Sequence, residues 1–146
     1  MLRKLRRLSE LSPVELLVFC QLFFFALAAR VTLRFIALSH VIKFLSVAAD
    51  NPLLRQLPLG HHWRDYSQLA VVTDLAARAI RAEGPCLLRS LLLFWLLKAR
   101  GERAELVIGI RKETAGLNSH AWIELRGTII GDNVSMAGSV ATLLRF

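Results

Sequence analysis

Apolar residues at helical spacing dominate the first third of the chain. Ser12-Pro13-Val14-Glu15 marks a helix start: Ser12 is a suitable cap, Pro13 fits the first helical position, and the Ser–Glu spacing is that of a capping box. Leu16, Phe19, Phe23 and Leu27 carry the pattern towards Arg30. A second helical stretch is expected over residues 31–49, where Leu33, Phe35, Ile36, Val41, Ile42 and Leu45 mix with Arg34, His40 and Lys43. Asn51-Pro52 and the Pro58, Gly60 region then break the chain. Beyond the break, residues 66–82 put Leu69, Val72, Leu75, Ala76 and Ile80 near one helix face. Glu83-Gly84-Pro85 ends that helix and restarts another at Cys86, which closes at Arg100-Gly101. Residues 104–110 read as a buried strand, 120–125 as an alternating one, and 128–130 as a short third after the Arg126-Gly127 turn. Residues 133–146 carry no decisive pattern. Helices followed by antiparallel strands predict an α+β fold, with an N-terminal region of apolar helices over 1–60 and a core over 61–146.

Composition sharpens the first part of this picture. Hydrophobic residues make up 55% of the 146, against about 45–50% in ordinary soluble domains. The excess is concentrated, since Glu15 is the only charge in residues 14–29. The uncharged run over residues 16–29 is 14 residues long, short of the roughly 20 that cross a bilayer. A buried hairpin, a partner-docking face and a helix lying on a membrane share this pattern. Ser9, Glu10 and Ser12 separate the basic start from the apolar run, and no small-residue cleavage site follows, so the expected location is cytoplasmic, with membrane association through the N-terminal helices kept open.

The net charge is +8, with Lys+Arg at 19 and Asp+Glu at 11. Apart from Arg3, Lys4, Arg6 and Arg7 the charge is scattered. Neither zinc-ligand spacing nor aromatic–basic alternation accompanies it, so a solvated basic face is expected and nucleic-acid binding is not. Cys20 and Cys86 form no disulfide framework. His61 and His62 beside Trp63 lack converging acidic or cysteine partners and read as loop histidines; no metal or cofactor is expected.

The chemistry concentrates in three residues. Cys86 follows Pro85 in the first turn of an apolar helix, where unpaired N–H groups and the positive dipole end favour negative charge on sulfur. Cys20, inside the first apolar helix, reads as core. His120 opens an alternating strand in which His120, Trp122 and Glu124 share a face. Asp132 follows the next strand, where a hairpin would return its carboxylate to the imidazole. In those positions Cys86 would attack, His120 would move the proton, and Asp132 would hold the tautomer. Arg89, one turn after Cys86, would bind substrate or lock its helix by an ion pair. Trp122 would line the cleft or pack.

The blocks Cys86-Leu87-Leu88-Arg89-Ser90-Leu91, Leu97-Lys98-Ala99-Arg100-Gly101, Leu106-Val107-Ile108-Gly109-Ile110 and Ser119-His120-Ala121-Trp122-Ile123-Glu124 resemble the transglutaminase-like leader peptidases of lasso-peptide biosynthesis. The resemblance covers about residues 66–132, with Cys86 and His120 separated by 34 positions and His120 and Asp132 by 12. It implies a papain-like or transglutaminase-like core, a Cys86-His120-Asp132 triad, and removal of a leader from a ribosomally made precursor peptide. It further implies work beside a small leader-recognition protein and a macrolactam cyclase in a bacterial cytoplasm. Two other readings stand beside it: acyl transfer to an amine by the same triad, and a non-catalytic membrane-associated scaffold.

Overall fold

The computed structural model describes residues 12–57, 65–80, 85–113, 116–132 and 140–146. The basic cluster at residues 3–7, Pro58, Gly60, His61, His62, Trp63, Glu83 and Gly84 lie outside the described residues.

Helix α1 spans Pro13–Thr32 and begins as its sequence predicts. The Ser12 hydroxyl accepts from the Glu15 amide at 3.3 Å, and the Glu15 carboxylate accepts from the Ser12 amide at 2.7 Å. The reciprocal bonds satisfy two donors that a helix start otherwise leaves open. Val18, Leu22, Ala26 and Ala29 form its inner stripe. The next helix, α2, spans Leu38–Asp50, so it starts seven residues later than the periodicity suggests. Residues 33–37 reverse the chain through bonds such as Arg34 N to Val31 O and Phe35 N to Thr32 O. That reversal contains neither glycine nor proline, so composition carries no mark of it. A short 3-10 turn, Leu54–Gln56, follows.

Helix α3 spans Tyr66–Ala79, with the Asp65 carboxylate accepting from the Ser67 amide. Helix α4 spans Pro85–Ala99 and forms the centre of the molecule. Ten of its residues are buried, because it meets α1, α2, α3 and two sheet strands at once. A helix surrounded on every side has no need of a polar face, which explains its apolar sequence. Phe25 of α1 stacks on Trp95 of α4 with centroids 4.1 Å apart. At its C-terminal end, Gly101 N bonds Lys98 O and Glu102 N bonds Leu97 O, the paired bonds of a Schellman close. The Arg55 side chain donates to the Ala99 carbonyl at 2.7 Å.

Strands β1 (Ala104–Glu113), β2 (Gly116–Leu125), β3 (Thr128–Ile130) and β4 (Ala141–Arg145) form one antiparallel sheet in the order β3-β2-β1-β4. The fold is α+β, as the order of helices and strands predicts. Leu106, Ile123 and Leu125 turn one sheet face into the helical core, which also takes in Val18, Leu45 and Leu97. A single core therefore draws on both sides of residue 60. The opposite face carries a smaller cluster of Val107 and Trp122, with Ile129 and Val140 against it. Strand β4 is exposed at all five positions. With no buried face it has no alternation to read, and its pairing with β1 is what makes it a strand.

Candidate active site

Helix α4 and strand β2 carry the candidate residues, and the structure joins Arg89 to His120 through Asp132. Cys86 is the second residue of α4; it is free and half-buried. Arg89 and Ser90 lie three and four positions further on, which puts all three on one side of the helix with Cβ atoms about 5–6 Å apart along it. Both of the later residues are anchored. The Ser90 hydroxyl is buried and donates to the Ala121 carbonyl at 2.9 Å. Arg89 Nη2 lies 2.6 Å from Asp132 Oδ2. The start of α4 is thus tied to the middle of β2, directly from Ser90 to Ala121 and, through Asp132, from Arg89 to His120.

His120 Nε2 is 2.6 Å from Asp132 Oδ2. Asp132 thereby joins the Arg89 guanidinium on α4 and the His120 imidazole on β2 through the same carboxylate oxygen. Its side chain is only 9% exposed. Arg89 Nη1 also reaches Asp74 on α3 at 3.9 Å, and Asp74 pairs with Arg78 at 2.7 Å. The charged chain therefore runs from the surface of α3 to the imidazole.

His120 is not at a strand start, as its alternating segment suggests, but five residues into β2. Strand β1 continues to Glu113 and pairs with residues 116–119, which extends the hairpin past the hydrophobic segment. Opposite His120 stands Gly109, which sets no side chain of its own against the imidazole. A Cβ at Gly109 would lie 2.5 Å from Val140 and 3.1 Å from Trp122.

Asp132 owes its place to Gly131. Strand β3 pairs with β2 only through Ile130, after which Gly131 turns with φ +72°. A Cβ there would sit 2.8 Å from the Ala70 methyl and 3.3 Å from Leu93. The ladder ends at this turn, two residues short of the Ala121 carbonyl that Ser90 binds. Neither Ser90 nor Gly131 is singled out by sequence reasoning, although a glycine beside an aspartate after a short apolar strand is itself a turn signal.

Arg89 and Trp122, both candidates for substrate contact, have their polar groups engaged within the protein. Arg89 is committed to Asp132 and Asp74 as described. Trp122 is buried, donates from Nε1 to Glu124 Oε1 at 2.9 Å, and stacks near the His120 ring with centroids 6.1 Å apart. Burial pushes the Glu124 carboxyl upward, but hydrogen bonds from Arg145 and Trp122 outweigh it and hold the group below the ordinary carboxylate range. The same Arg145 bridges Glu105 at 2.5 Å and Glu124 at 2.6 Å, so it ties β4 to β1 and β2. A cleft of about 590 Å³ opens between α3 and the end of β3, with Tyr66, Asp74, Arg89, Ile130 and Asp132 in its walls. Cys86 and His120 are not among its lining residues, so it borders the site without containing the sulfur and imidazole. Among the described residues no cluster of three or more His, Cys, Asp or Glu is placed to hold a metal ion.

Comparison with known proteins bears on the whole domain. A family model described as the Transglutaminase-like superfamily matches residues 25–145. Members of that superfamily are typically cysteine-dependent enzymes, and they include cysteine peptidases and acyl transferases. No curated protein and no solved structure matches the chain. The family match reaches from the middle of α1 to the end of β4, over helices packed on an antiparallel sheet, and the chain belongs to the transglutaminase-like superfamily.

Proposed function

We propose that the chain is a cysteine peptidase that removes the leader from a ribosomally made lasso precursor peptide through Cys86, His120 and Asp132. The observation that carries the chemistry is the 2.6 Å contact between His120 Nε2 and Asp132 Oδ2. With Nε2–H donating to that carboxylate, Nδ1 is left as the basic nitrogen and takes the proton of the Cys86 thiol. The sulfur, at the first turn of α4, forms its negative charge beside backbone N–H groups that a helix start leaves without intrahelical partners. It adds to the scissile carbonyl, and the Cys86 amide is one donor available to the resulting oxyanion. Nδ1–H then protonates the leaving amine as the C–N bond breaks. Water, deprotonated by Nδ1, attacks the thioester, releases the acid and restores the thiol. The substrate class rests on the resemblance of the Cys86–Leu91 and Ser119–Glu124 blocks to the lasso leader peptidases. A leader-recognition protein and a macrolactam cyclase belong to the same reading through that resemblance, and the little surface a domain of this size has left for reading a long leader fits the first of them.

Incubation with precursor peptide tests the proposal. Cys86→Ala and His120→Ala should abolish cleavage while leaving the fold intact, and Asp132→Asn should cripple it. Full activity in Cys86→Ala would sink the idea. Mass spectrometry of the product separates hydrolysis from transfer to an amine, since the same thioester serves both. Full-rate cleavage by the purified chain alone would remove the need for a recognition partner.

A further inference from the structure

Helix α1 shows the solvent a face that a soluble helix ordinarily makes polar. At 100° per residue, Leu16, Leu17, Cys20, Phe24, Leu27 and Val31 fall within a sector about 100° wide, opposite the Val18, Leu22, Ala26 and Ala29 stripe. All six are exposed, with Phe24 67% and Leu17 59% accessible, and Cys20, expected in the core, lies on the outer side because the inner stripe falls on Val18 and Leu22. Pro13 is the only other residue in that sector, so it carries no charged, amide or hydroxyl side chain over 20 residues. The helix is long and apolar enough to cross a membrane, with mean hydropathy 2.0 over a window that is only 22% buried. It does not stand alone, however. Its inner stripe is part of the domain core, and Arg30 donates to the Ile80 carbonyl at the end of α3 at 3.1 Å. Crossing a bilayer would tear that stripe from α3 and α4.

We propose that this face of α1 seats the protein on an anionic membrane surface, with the helix lying in the interfacial plane and the catalytic domain left in water. Charge complementarity selects the occupant. Residues 1–57 hold eight Lys or Arg against three Asp or Glu, and four of those basic residues occur at Arg3, Lys4, Arg6 and Arg7, just ahead of α1 in sequence. A basic run next to an apolar helix in sequence is a pattern that anionic headgroups attract. A second copy of the chain would instead oppose two surfaces of like charge. Protein interfaces also carry about one hydrogen bond per 100–200 Å², and the outer sector of α1 offers no side chain to make one. Lipid tails ask for none. The inference stands on α1 and on the basic residues near it in sequence, and is independent of the chemistry at Cys86.

The full chain and a Leu17→Asp/Phe24→Asp double variant are mixed with phosphatidylcholine vesicles, with and without about a third phosphatidylglycerol, and sedimented. Both substituted positions are exposed, and thermal unfolding checks that the variant remains folded. The wild-type protein should sediment with the anionic vesicles and less with neutral ones, and high salt should release it. The double variant should lose about a hundredfold in partitioning, the effect of removing two large apolar side chains from the contact. Alkylation of Cys20, in the middle of the face, should slow on anionic vesicles. Failure of the wild-type chain to bind anionic vesicles overturns the proposal, as does equal partitioning by a folded double variant. So does a lipid-free dimer, seen by light scattering, that the double variant dissolves, because the face would then be an interface between copies.

Discussion

Replacing Gly131 by alanine tests how the carboxylate reaches the imidazole. Gly131 holds φ +72°, and a Cβ there would meet the Ala70 methyl at 2.8 Å. The backbone term costs an L-residue about 1–2 kcal/mol in this left-handed region. The steric term adds about 1–3 kcal/mol, because the Ala70 methyl is fixed to the α3 backbone and has no rotamer by which to leave. Gly131→Ala should therefore lose about 2–5 kcal/mol in denaturant unfolding, and cleavage should fall further as Asp132 is pushed away from His120. The two terms separate in a double-mutant cycle. Ala70→Gly alone should cost about 1 kcal/mol of helix propensity. Combined with Gly131→Ala, it should restore the steric part, giving a favourable coupling of about 1 kcal/mol or more. A Gly131→Ala protein within about 0.5 kcal/mol of wild type, or a cycle without coupling, would refute the account of this turn.

Arg89 offers a different discrimination. Arg89→Ala breaks a largely buried pair with Asp132 and should cost about 3–5 kcal/mol, reduced by whatever water reaches the gap. Arg89→Lys keeps a charge but not the fork that meets Asp132 and Asp74 together; if Arg89 positions the carboxylate, the loss should fall on kcat, whereas a rise in KM alone would mark a substrate contact. Glu124 supplies a pH dependence. Its carboxyl is held below the ordinary range in the folded protein, so its contribution is present above the unfolded value and lost as pH falls through the lowered one. Acid titration monitored by tryptophan fluorescence should show Trp122 losing its Glu124 bond in that low-pH window, and Glu124→Gln should flatten the change.

Local rules determined much of this protein. The Ser12–Glu15 box, the Gly101 close of α4 and the Arg126-Gly127 turn each follow from a few neighbouring residues, since caps and turns are satisfied within a few positions of the chain. The ordering of helices before antiparallel strands was legible for the same reason. Cys86, His120 and Asp132 were legible as residue types in plausible places, and the structure joins His120 to Asp132 through one oxygen. Other features had no local signature. Strand β4 is exposed along its length and exists through its pairing with β1; the 33–37 reversal uses no turn-forming glycine or proline. The work of Ser90, Arg89 and Gly131 depends on partners 31, 43 and 61 positions away in sequence, at Ala121, Asp132 and Ala70. Only the packed fold could also divide the apolar surface of α1, placing one side in the core and leaving the other bare, because periodicity reports apolar residues and not what lies against them.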